Sequence, residues 1–156
     1  MIVLLYPFIA LSAMGLMLSI AVHVAALFGL HVPPESIWLF FGNFVVFIPT
    51  VITSVLLMPK GYGKKDFWRM TLRGAPKWMH YMTYSSFVYY FIYVVIILLS
   101  SIIFPRNNSN NIGNLSSFSV RDFSSICLVF YSMSLSILYS ATQIEKKGFH
   151  WFSNRP

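Results

Sequence analysis

The sequence predicts an all-α, polytopic membrane protein: four transmembrane helices in an antiparallel bundle, with both termini in the cytoplasm. Three observations lead there. Four long apolar stretches occupy most of the 156 residues. Charged residues make up only 10% of the chain, against about 25% in a soluble domain. The positive charge gathers in two segments, one between the second and third stretches and one after the fourth.

The first span is expected over 2–30. No charge precedes it and it is longer than a signal-peptide core of roughly 7–15 residues, so it reads as an uncleaved signal anchor. Pro7 falls in its first turn, where a missing N–H costs little. His31-Val32-Pro33-Pro34-Glu35-Ser36 ends it, and Glu35 or Ser36 is placed to cap the next helix. The second span, 37–58, carries Pro49 near its middle and should kink there, freeing a carbonyl near Val45. A basic loop is expected over 59–81, with a short amphipathic helix from Asp66 to Arg73. Asp66 would be its N-cap, and Phe67, Met70 and Thr71 would insert at headgroup level. The third span, 82–104, stops at Pro105, and 105–119 form a polar, Asn-rich loop. The fourth span is 120–142, with Asp122 favouring its N-terminus. No polar tract is long enough for a second core, so 1–156 form a single membrane domain.

Orientation follows from charge. The basic loop holds Lys60, Lys64, Lys65, Arg69, Arg73 and Lys77, and the tail holds Lys146, Lys147 and Arg155. The opposite side holds only Arg106 and Arg121. Nine against two places 59–81 and the C-terminus inside, with 31–36 and 105–119 outside. Trp38, Trp78, Tyr81 and Trp151 fall at the span edges, where an interfacial aromatic belt belongs. The predicted location is a bacterial inner (plasma) membrane, multi-pass. A net charge of +7 then points to anionic lipid headgroups and not to nucleic acid.

Chemistry is sparse. Cys127 is the only cysteine, which excludes an intramolecular disulfide or a cysteine-pair redox cycle, and it reads as a small buried hydrophobe. Glu35, Asp66, Asp122 and Glu145 all fall outside the expected membrane interior, which argues against carboxylate-coupled transport. Gly61-Tyr62-Gly63 is too short for a phosphate loop. No catalytic residue, cofactor or metal site is expected, and the chain is read as no enzyme.

Two places remain for a specific role. His23 lies about two turns inside the outer end of span one, and Asn43 lies at a similar depth in span two. They are expected to meet as an intramembrane polar pair, either as interhelical glue or as a ligand contact. Lys60, Lys64, Lys65, Trp68, Arg69, Arg73, Lys77 and Trp78 form a candidate surface for anionic lipid or a partner protein. Small residues recur every fourth position at Gly15/Ser19, at Ala21/Ala25/Gly29 and at Ser132/Ser136/Ser140, which allows close helix approach. Tyr89, Tyr90 and Tyr93 lie deep in span three and need partners, with the serines of span four as candidates. The function expected is a non-enzymatic accessory, assembly or protective subunit acting through helix–helix contacts, with a membrane-protein partner or a second copy. The alternative is a transporter or channel for a neutral or lipid-like solute, using His23, Asn43 and the hydroxyl-lined faces.

Overall fold

The computed structural model describes residues 2–30, 36–58, 66–103 and 112–146. These form five helices and no strand: α1 (Ile2–Leu27), α2 (Ile37–Leu57), α3 (Phe67–Thr71), α4 (Lys77–Ile103) and α5 (Ile112–Lys146). All but α3 are long and apolar enough to cross a membrane.

α5 is the hub. It packs on α1 most extensively, then on α2 and α4, and α1 also touches α2. α4 has no comparable contact with α1 or α2 among the described residues. Its span is 6% buried, against 67% for that of α5. Pairings along α5 fix the relative directions. His23 meets Ser124 while Gly15 faces Tyr131, so α1 runs against α5. Tyr93 meets Asp122 while Thr83 meets Ser136, so α4 does too. Phe40 meets Phe123 and Phe47 meets Phe130, so α2 runs along α5.

The buried faces mix apolar side chains, such as Leu16, Val46 and Leu138, with small polar ones: Ser12 and Ser19 beside His23 on α1, Thr50 and Thr53 on α2, and Ser125, Ser132, Ser136 and Ser140 on α5. The outward faces carry the large apolar side chains, such as Val3, Met17, Ile48, Phe91 and Ile96. Water would reverse this arrangement. In lipid the outer face gains nothing by burial, so contact is decided by close packing and hydroxyl bonds, which small polar residues supply. Each buried hydroxyl that donates to a carbonyl three or four residues back, such as Ser12 to Phe8 and Thr50 to Val46, satisfies itself within its own helix.

Tyr131 is the largest fully buried side chain among the described residues. It is buried, its ring lies against Gly15, and its hydroxyl donates to the Leu39 carbonyl at 2.8 Å. A Cβ on Gly42 would lie 2.8 Å from that hydroxyl, so glycines on α1 and α2 make the slot the ring fills.

Several boundaries differ from expectation. α1 stops at Leu27 and not near Leu30, because Gly29 adopts φ +69°. Leu30 N–H then donates to Ala25 and Gly29 N–H to Ala26, closing a Schellman cap. Gly29 therefore caps α1 and does not extend the Ala21/Ala25 stripe. α4 begins at Lys77, earlier than 82, since Pro76 carries no N–H to lose and its carbonyl accepts from Met79. α5 begins at Ile112, so part of the expected 105–119 loop is helical. Its 35 residues span about 52 Å at ~1.5 Å per residue, beyond a ~30 Å hydrocarbon core. Asp122 is consequently inside a helix and caps nothing. Ser36 and Asp66 occupy the N-cap positions of α2 and α3 but make no side-chain cap bond, and Glu35 lies outside the described residues.

Candidate functional site

His23 does not pair with Asn43. Its Nδ1 shares a 2.8 Å hydrogen bond with the Ser124 hydroxyl of α5. Its Nε2 shares one with the Tyr89 hydroxyl of α4. The physical reason is the hub arrangement. The His23 face of α1 is turned to α5, and α4 closes on α5 from the other side, so the imidazole bridges three helices. Asn43 is buried on α2, and its Oδ1 has no hydrogen-bond partner.

The cluster extends to a carboxylate. Tyr93 lies one turn beyond Tyr89, stacked with it at 6.3 Å, and both rings present edges to His23. The Tyr93 hydroxyl donates to Asp122 Oδ1 at 2.7 Å. Asp122, Tyr93, Tyr89, Ser124 and His23 thus form one polar cluster near the C-terminal end of α1. The sequence reading missed Asp122 because it began span four at 120. The four-residue spacing of Tyr89 and Tyr93 was the available signal.

Below the cluster a cleft of about 420 Å³ opens between α1 and α4. Leu16, Ile20, His23 and Leu27 form one wall, Met82, Ser85, Ser86 and Tyr89 the other, and Leu128 and Ser132 of α5 the floor. It exists because α1 and α4 each dock along α5 and meet one another at the His23 cluster.

The hydroxyl stripe of α5 is taken up by packing. Thr83 and Ser86 of α4 meet Ser136 and Ser132 at 2.8 Å each, and Ser140 accepts from the Gly74 N–H at 2.9 Å. Cys127 is buried in the same helix.

The basic surface is partly described. Arg69, Arg73, Lys77 and Trp78 are exposed, whereas Lys60, Lys64 and Lys65 lie outside the described residues. Trp68 does not insert into open space but packs edgewise on Phe87 and Tyr84 of α4. Thr71 and Leu72 are fully buried, so α3 is docked on the ends of the long helices with its cations outward. His80 shares a bond with the Ala75 carbonyl, and Tyr81 is exposed. Among the described residues, no group of three or more His, Cys, Asp or Glu side chains is placed to hold a metal ion.

Fold and site together define a class: an all-helical chain with four helices able to cross a membrane and a polar cluster bridging three of them. Comparison with protein families, curated proteins and solved structures found no match.

Proposed function

We propose that this protein is a non-enzymatic accessory or assembly subunit of a membrane, acting through helix contacts with another membrane protein or a second copy of itself. The observation that carries the reading is the exposure of α4. It is fastened along one side to α5, and among the described residues it reaches α1 only at the His23 cluster. Val88, Phe91, Ile92 and Ile96 stand outward on it. A helix packing beside α4 would cover a surface that the chain's own fold leaves open.

The charge bias supports an orientation with 59–81 and the C-terminus in the cytoplasm of a bacterial inner membrane, as an up-down antiparallel bundle. In that orientation Arg69, Arg73 and Lys77 face anionic headgroups, and the His23 cluster lies toward the outside. Solute transport has less support, because the α5 hydroxyls that would line a path are spent on α4 and Gly74.

Purification in mild detergent followed by native mass spectrometry tests the proposal. The expected result is a homo-oligomer or a stoichiometric membrane partner, weakened by Val88→Ser with Phe91→Ser. A dispersed monomer with nothing attached would overturn it.

A further inference from the structure

We infer that the cleft between α1 and α4 is a binding site for a single acyl chain of a phospholipid, drawn from the leaflet at the C-terminal end of α1. The inference does not depend on the accessory role, since it concerns bilayer lipid and not a protein partner.

Shape selects the occupant. Along α1 the cleft runs from Leu16 to Leu27, eleven rises of ~1.5 Å or about 16 Å. Its volume of about 420 Å³ over that length gives a cross-section of about 26 Å². A helix about 10 Å across needs roughly 80 Å². One hydrocarbon chain, whose carbons approach neighbours at about 4 Å, needs only ~13–20 Å². The cleft therefore does not take in a helix whole, and it is wide enough for one chain. Its length also matches one leaflet, half of a ~30 Å hydrocarbon core.

Chemistry agrees with shape. Ile20, Leu27 and Tyr89 at the lips are exposed toward lipid, so entry from the bilayer needs no opening step. The deep end is apolar, with Leu16, Met82 and Leu128. The His23–Tyr89 pair lies four residues, or about 6 Å, below the end of α1. With about 16 Å of chain below it, the ester lies above this pair, at the Leu27 end of the cleft.

The test uses the whole chain in nanodiscs of phosphatidylcholine doped with phosphatidylcholine carrying a mid-chain nitroxide. Methyl relaxation is read at labelled methionines. Met17 is exposed on the outer side of α1 at cleft depth, whereas Met82 is half-buried in the cleft wall. With a chain seated, relaxation enhancement at Met82 equals or exceeds that at Met17. Ile20→Trp or Ser85→Phe, each filling the cleft from an exposed lip position, should lower it several-fold while Met17 stays unchanged. The buried Met79 methyl shift reports that each variant is folded. A Met82 enhancement below that of Met17 in the native chain, or one that neither variant alters, would overturn the inference.

Discussion

Gly15→Ala should destabilise this protein, and the same substitution should become harmless once Tyr131 is removed. A Cβ on Gly15 would lie 2.7 Å from Tyr131 Cδ1 and nearer still to Cε1 and Cζ. Carbons approach comfortably only to about 3.5–4.0 Å, so three ring atoms overlap a single methyl. The ring cannot swing away without releasing its bond to the Leu39 carbonyl, worth about 1 kcal/mol, or prising α1 from α5. Overpacking of this kind costs about 1–3 kcal/mol. The opposing gain of Ala over Gly in helix propensity is at most about 1 kcal/mol, and it shrinks in detergent, where the unfolded chain stays largely helical. The expected net loss is about 1–2 kcal/mol, from the difference of those terms. In a Tyr131→Ala background the clash is gone, and Gly15→Ala should be neutral or slightly stabilising. A double-mutant cycle of reversible unfolding in mixed micelles should therefore show a coupling of about 1–3 kcal/mol. Equal effects of Gly15→Ala in both backgrounds would refute the wedge.

Three further outcomes follow from the same geometry. His23→Ala should cost roughly 1–2 kcal/mol in the same unfolding assay, since it removes bonds to both Ser124 and Tyr89, while Asn43→Ala should cost less; the opposite ranking would return Asn43 to the site. In Gly74→Ala the new methyl would run into the Ser140 carbonyl and lie 2.9 Å from Ile144 Cγ1. Hydrogen exchange across 66–75 should rise while the four long helices stay protected, and unchanged exchange would show that α3 does not need that contact. A reporter fused after Asn110 should read as external and one after Lys64 as cytoplasmic; the reverse pair would invert the orientation.

The long helices were legible because apolar runs longer than ~17 residues have few other readings. Their edges were less so. Spacing puts Gly29 in a small-residue stripe, and only its φ of +69° shows that it performs the cap. The buried faces could be read in part. The serine stripe Ser132, Ser136 and Ser140 of α5 does turn inward. Partner choice was not legible. Equal depth in adjacent helices made His23 and Asn43 a reasonable pair, but depth says nothing about azimuth. It is the rotation of α1 that sends the imidazole to Ser124 and Tyr89. Asp122 was hidden by a helix start placed at 120 where α5 begins at Ile112, eight residues late, since the polar run before it resembles a loop by composition.

The hub position of α5 also bears on biosynthesis. Its contacts with α1 close over 101 residues at His23–Ser124 and over more at Gly15–Tyr131, and it is the last of the four long helices to be translated. Until it enters the bilayer, α1 and α2 pack on each other, and among the described residues α4 reaches them only through the His23–Tyr89 bond. The earlier spans must wait in the membrane without the helix on which most of their contacts are made, open to insertase or protease. Truncation before α5 should thus remove the whole tertiary structure and not a quarter of it, and the nascent chain should depend on holding factors until its final span arrives.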